Sequence, residues 1–160
     1  MTEPIKRPVQ FHLREFAPAD LETLWRLDQV CFTRGIAYSK TELAHYIRQP
    51  RAFTIVAESA AGISGFIVME HDAKGTGRII TIDVHPETRR HGLGTLMMKA
   101  AEERLRALQC ERIILEVAVD YLPAIRFYKR HGYSVAGTIA RYYLDSLDAL
   151  RMEKKLALQN

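Results

Sequence analysis

Three groups of residues in this chain have types and spacings suited to chemistry. Glu116 stands between Leu115 and Val117 in the nearly continuous apolar run that follows Arg112. Burying a carboxylate there is costly and favours its protonated form, which would suit a base taking a proton from an amine near neutral pH. The other reading is a glutamate facing water at a strand end, or one paired with an arginine. The second group follows the apolar residues 79–84, where Arg89-Arg90-His91-Gly92-Leu93-Gly94-Thr95 opens a helix. An apolar strand, a basic glycine turn and an amphipathic helix aim free backbone N–H groups at an anion, most often a phosphate. The third is Tyr128, on one helical face with Ala124, Phe127 and His131, where core packing with a hydrogen-bonded hydroxyl is the plain reading.

The elements that position these groups follow from periodicity. Residues 11–15 alternate like a strand, and 17–32 read as a helix with Leu21, Leu24 and Trp25 on one face. Ser39-Lys40-Thr41-Glu42 is a capping box for a second helix that stops before Pro50. Residues 53–57, 64–70 and 78–84 make three strands of a meander with glycine turns between them. The helix after the glycine turn runs to about Leu108. Its buried stripe is Leu93, Met97, Ala101, Leu105 and Leu108, with Lys99, Glu102, Glu103 and Arg106 on the wet side. The strand at 112–117 completes a strand–helix–strand unit, which implies parallel pairing and burial on both faces. A last helix begins after Asp120, carries Pro123 in its first turn and stops at Gly132. Residues 133–140 and 149–156 close the sheet. The order is βααβββαβαββ, an α/β sheet antiparallel at first and parallel in the middle.

The 160 residues are expected to form a loose arm, 1–9, and a single domain, 10–160. No apolar run is long enough to span a membrane, and the opening residues lack the apolar core of a signal peptide, so a cytoplasmic protein is expected. Cys31 and Cys110 read as free thiols of a reducing compartment, and no Cys/His cluster has metal-ligand spacing. The net charge of +4 is spread among 19 acidic residues, without the concentrated stripe of a nucleic-acid binder.

The glycine turn has three readings. As a dinucleotide fingerprint it lacks the third glycine, since Met97 stands there; as a Walker loop it lacks the Gly-Lys-Ser/Thr ending. As a tight strand–helix turn its glycines would serve close packing. However, Arg89-x-x-Gly92-x-Gly94 after this strand end resembles the acyl-CoA pyrophosphate loop of the GNAT N-acetyltransferases, and the element order is theirs along nearly the whole chain. The Ala124-Ile125-x-x-Tyr128 helix ending in Gly132-Tyr133 resembles the second signature of that family. Leu115-Glu116-Val117, the late Tyr142-Tyr143 pair and Asp148-Ala149 are most similar to the ribosomal-protein N-terminal alanine acetyltransferases.

That resemblance implies a GNAT fold: a mixed, mostly antiparallel seven-stranded sheet with a central parallel pair splayed to hold acyl-CoA, flanked by about four helices. It implies acetyl-CoA as acyl donor. N–H groups of Arg90, His91, Gly92, Leu93, Gly94 and Thr95 would hold the pyrophosphate, with Arg89 and Arg90 adding positive charge. Ile82, Asp83 and Val84 would form the pantetheine edge, and the Val84 N–H would be the nearest oxyanion donor. The side chains of Asp83 and His85 read as ordinary solvated strand-end groups, and His12, His45, His71 and His131 as bland. Glu116 would match the proton acceptor and Tyr128 the donor to the departing thiolate. Tyr121 takes the place of an asparagine that often contacts CoA, and Tyr38, Tyr142 and Tyr143 would line the acceptor groove.

The chain departs from that subfamily at Ala118, where arginine is usual, at Tyr121, and at Ala37-Tyr38, where it has Pro-Trp. The acceptor therefore stays open between a protein or peptide N-terminus and a small amine. The segments 32–42 and 141–148 that would form the pocket carry Glu42, Asp145 and Asp148 but also Arg34, Lys40 and Arg141. A non-catalytic acyl-CoA-binding module is the rival of another class; it would need neither Glu116 nor Tyr128. No metal and no cysteine nucleophile is implied. Monomer and dimer both stay open.

Overall fold

The structure, a computed structural model, describes residues 2–4, 7–33, 35–143 and 146–157. Seven strands and four α-helices follow one another as β1 (His12–Glu15), α1 (Leu21–Cys31), α2 (Lys40–Ile47), β2 (Ala52–Ser59), β3 (Gly62–His71), β4 (Thr76–Val84), α3 (Leu93–Ala107), β5 (Arg112–Ala118), α4 (Leu122–Arg130), β6 (Ser134–Tyr143) and β7 (Leu147–Lys155). Short 3₁₀ turns at Pro18–Asp20 and Pro86–Thr88 precede α1 and α3. The helix expected from Ala17 thus opens as a 3₁₀ turn with Pro18 in its first position. Ser39 caps α2 by accepting the Glu42 N–H at 3.1 Å. Gly132, at φ 90°, follows α4 in the left-handed conformation that ends helices.

The sheet order is β1-β2-β3-β4-β5-β7-β6. Every pairing is antiparallel except β4 with β5, and that parallel contact lasts only from Thr76↔Arg112 to Arg78↔Ile114. Beyond Arg78 the two strands part. A β-bulge lies at the parting: Val68 pairs with Thr81 and Met69 with Ile79, leaving Ile80 as the extra residue. Bulges bend a strand and reverse the side-chain alternation. Here Ile79, Ile82 and Val84 pack toward the core under α3 and α4, while the carboxyl of Asp83 meets Asp28 of α1.

Two apolar layers hold the sheet. Leu93, Met97, Met98, Ala101 and Leu105 of α3 lie on Ile67, Met69, Ile113, Leu115 and Val117. On the opposite face Leu24, Leu27 and Leu43 cover Val56, Phe66 and Val68. Two expectations for α3 are corrected. Leu108 is exposed, because α3 ends at Ala107 before another turn could bring it inward. Glu102 is buried, charge-compensated by Lys154 at 3.0 Å and hydrogen-bonded by the Tyr133 hydroxyl at 3.2 Å. Long-range partners make a buried carboxylate tolerable where helical periodicity predicts solvent.

Candidate active site

The parting of β4 and β5 opens a groove of about 690 Å³. From one end to the other it is lined by the glycine turn, the Ile82 and Val84 edge of β4, Glu116 on β5 and Tyr128 on α4. Of the residues expected here, Tyr38, Arg89, Arg90, Leu93, Thr95, Tyr121 and Tyr143 also line it; Asp83, His91 and Tyr142 do not. Glu116 faces the groove because the alternation of β5 turns it away from the α3 layer. Ile113, Leu115 and Val117 point into the core, and the other face, with Ile114 and Glu116, is less deeply covered, so the expected burial on both faces is complete on one only.

The two glycines of the turn serve different needs. Gly92 caps α3 at φ 77°, and a Cβ added there would meet nothing within 4 Å. A Cβ on Gly94 would lie 3.0 Å from Phe127 Cε2, so this glycine lets α3 approach α4. Arg90 also adopts a left-handed φ of 69°. The helical ladder starts with the Leu96 N–H on Gly92 O at 3.0 Å, so the N–H groups of Leu93, Gly94 and Thr95 stand ahead of it at the positive end of the helix. Arg89 turns back to donate from Nε to Val84 O at 3.1 Å.

His131, read from sequence as bland, joins this turn. Its Nδ1 lies 2.8 Å from Phe127 O, which can only accept, so Nδ1 carries a hydrogen. In the neutral ring Nε2 then accepts from the Thr95 hydroxyl at 3.0 Å. The His131 ring thereby orients a hydroxyl at the mouth of α3. The two residues are 36 apart in sequence, beyond the reach of any local pattern.

Glu116 is not a lone carboxylate. Its side chain is only 7% exposed, with Oε2 3.0 Å from Arg78 Nε and Oε1 3.5 Å from Arg151 Nη2. Arg151 is its cross-strand neighbour on β7. The paired-arginine reading is therefore the observed one, and two guanidinium groups meet the cost of burial. Arg78 also reaches Glu70 at 3.5 Å and donates to the Tyr142 hydroxyl at 3.2 Å. Tyr142 in turn packs edge-on against Tyr143, with ring centroids 4.8 Å apart.

Tyr128 is 8% exposed and packs edge-on against Phe127 and Tyr133. Burial, with the Asp83 charge adding to it, pushes the Tyr128 phenol above its ordinary value, so it stays protonated through the physiological range. Tyr38 is likewise raised by burial, and its hydroxyl donates to Ile80 O, at the bulge, over 3.3 Å.

Asp83 overturns the expectation of a solvated strand end: it is 1% exposed. The bulge at Ile80 turns it toward α1, where Asp28 is fully buried. His85 keeps a local role, accepting the Glu87 N–H on Nδ1 at 3.1 Å. Arg34 and Asp145 of the expected acceptor pocket lie outside the described residues.

The acetyltransferase (GNAT) family pattern matches residues 21–133. An uncharacterized N-acetyltransferase of Methanocaldococcus jannaschii is 33% identical over 89% of this chain and 90% of that protein. A putative [ribosomal protein bS18]-alanine N-acetyltransferase of Bacillus subtilis is 29% identical over 88% and 92%. The crystal structure of Ard1 from Thermoplasma volcanium superposes with a TM-score of 0.84 at 30% identity, covering 92% of this chain and 98% of that one. The chain belongs to the acetyltransferase (GNAT) family. It is an N-acetyltransferase, with the splayed seven-stranded sheet of that fold.

Proposed function

We propose that this enzyme takes the acetyl group of acetyl-CoA and passes it by direct attack to the N-terminal amine of a protein or peptide. The observation that carries this reading is the early end of the β4–β5 pairing. It leaves one groove running from the glycine turn past Val84 to Glu116 and Tyr128. The pyrophosphate would sit on the N–H groups at the mouth of α3, beside Arg89 and Arg90, and the pantetheine arm along Ile82 to Val84, with Tyr121 at its flank.

The acceptor arrives as an ammonium and must lose a proton. Glu116, already held by two arginines, would take it through water. The free amine then attacks the thioester carbonyl carbon. The His85 N–H donates to Ser64 O at 2.8 Å, so ladder alternation turns the Val84 N–H away from β3 and toward the groove, where it would steady the oxyanion. The C–S bond breaks, the departing thiolate takes the Tyr128 proton, and the second proton shed by the attacking nitrogen restores the phenol. Tyr38 and Tyr143 would flank the acceptor.

A polycationic acceptor fits less well. Two arginines already compensate Glu116, a carboxylate lining the groove, so it offers little free negative charge to a second ammonium. Cys31 and Cys110 are both free, as suits a cytoplasmic enzyme. The test is release of free thiol from acetyl-CoA over a panel of peptides, amino acids, polyamines and aminoglycosides, with mass spectrometry to locate the acetyl group. Turnover on peptide α-amines supports the reading; turnover confined to polyamines or aminoglycosides refutes it.

A further inference from the structure

Asp28 and Asp83 form a pair that the transfer chemistry does not use. Both are buried, at 0% and 1% exposure, where α1 crosses β4. Three of the contacts around them are ordinary hydrogen bonds. Asp28 Oδ2 accepts the Tyr38 N–H at 2.7 Å, Asp83 Oδ1 accepts the Thr81 hydroxyl at 2.6 Å, and the Tyr38 hydroxyl donates to Ile80 O at 3.3 Å. One oxygen on each carboxyl, Asp28 Oδ1 and Asp83 Oδ2, is buried with no donor. The two carboxyls lie close enough to act on each other, and a hydrogen on one of them would give both orphaned oxygens a partner. Two bare carboxylates in such a place would repel across a low dielectric.

We infer that Asp28 and Asp83 share one proton and act as positioning residues, closing a ring that fixes the acceptor loop before α2 to the bulged strand of the groove. The ring runs from Asp28 to the Tyr38 backbone, through its hydroxyl to Ile80, along the strand to Thr81 and Asp83, and back to Asp28 through the shared proton. A turn further along α1, the Cys31 thiol donates to Val84 O at 3.3 Å and holds the same strand end. Breaking the ring frees Tyr38 from the place where β4 and β5 part. The acceptor then meets a looser loop, while the glycine turn is left untouched.

The proton makes the ring pH-sensitive in one direction. Burial and mutual repulsion hold Asp83 well above the usual carboxylate range and raise Asp28 as well. As pH rises past the pair's value the proton leaves and the two charges drive α1 from β4. Glu42 of α2 adds negative charge near Asp28, and Arg89 adds positive charge near Asp83. Cys31 of α1 and Tyr128 of α4 are both raised and stay neutral below about pH 10.

The positioning role rests on the acetyl-transfer reading above, whereas the shared proton does not, so two measurements separate them. Infrared spectra of the whole protein at pH 7 should show a protonated carboxyl C=O stretch that vanishes in both Asp28→Asn and Asp83→Asn. With an acceptor from the panel, Asp28→Leu should raise KM for the acceptor about tenfold while KM for acetyl-CoA moves far less. Asp28→Asn should recover most of that loss, since its amide N–H replaces the shared proton and its oxygen still accepts from Tyr38. It should also lose the alkaline rise in acceptor KM. Absence of the infrared band overturns the shared proton even if no acceptor turns over. Equal impairment by Asn and Leu, or a loss that falls on acetyl-CoA, overturns the positioning role.

Discussion

Arg78 Nε lies 3.0 Å from Glu116 Oε2, tying the last residue of β4 that pairs with β5 to a groove-lining carboxylate just beyond the split. The ion pair thus sits at the apex of the V, where one strand edge turns from sheet into binding groove. Breaking it from either side leaves a partly buried charge. In a double-mutant cycle with Arg78→Met and Glu116→Gln, chemical denaturation should give a coupling of about 1–2 kcal/mol, reduced because Arg78 is itself 31% exposed. Additive single losses would show that the pair contributes nothing to stability.

Glu116→Gln also addresses the chemistry. If Glu116 relays the acceptor proton, the rate should fall most at neutral pH, by about 10²-fold, and partly recover at high pH, where the amine is already free. An unchanged pH–rate profile removes it as the base.

Tyr128→Phe deletes one hydroxyl and keeps the ring packed between Phe127 and Tyr133. We expect kcat to fall by about 10²-fold with acetyl-CoA affinity nearly unchanged. Because burial raises this phenol, Tyr128 should add no alkaline limb to the wild-type profile below about pH 10. Full activity in the variant excludes it as the proton donor.

The two turn glycines should fail in different ways. Gly92→Ala meets no neighbour but forces a left-handed φ of 77° on an L-residue, at a cost of about 1–2 kcal/mol, and Gly92→Asn should cost less. Gly94→Ala drives its methyl to 3.0 Å from Phe127, an overpacking cost of about 1–3 kcal/mol against which better helix propensity returns at most about 1. Phe127→Leu should relieve Gly94→Ala and leave Gly92→Ala as it was, as read by thermal unfolding of the double variants.

Burial, with the Asp83 charge behind it, pushes the Cys31 thiol up to about 11. A raised thiol is neutral at pH 8, so alkylation there should be slow and should speed about tenfold per pH unit until about pH 11. Bound acetyl-CoA should protect Cys31, which lines the groove, and leave Cys110 unaffected. Fast labelling of Cys31 at pH 7 would contradict this environment; peptide mass spectrometry reads both sites.

Local pattern was enough for the element order. The capping box at Ser39, the stripe from Leu93 to Leu105 and the stop at Gly132 are each set by residues within a few positions of one another, and each stands where periodicity predicts. The glycine turn, Glu116 and Tyr128 were legible too, because each motif is contiguous. Periodicity failed where a distant partner changed the cost of burial. Glu102 goes inside because Lys154 meets it, and Asp83 because Asp28 does.

The sequence by itself determined that a basic glycine turn, a carboxylate and a tyrosine would ride on successive elements of one α/β sheet. The fold decided how they meet. A three-residue parallel contact, a bulge at Ile80 and the crossing of α1 over β4 turned Asp83 inward, placed Arg78 on Glu116 and set His131 against Thr95. None of these could be read from spacing, because charge and hydrogen-bond energies depend on separation in space and on exclusion of water. Both are properties of packed strands and helices rather than of neighbours in the chain.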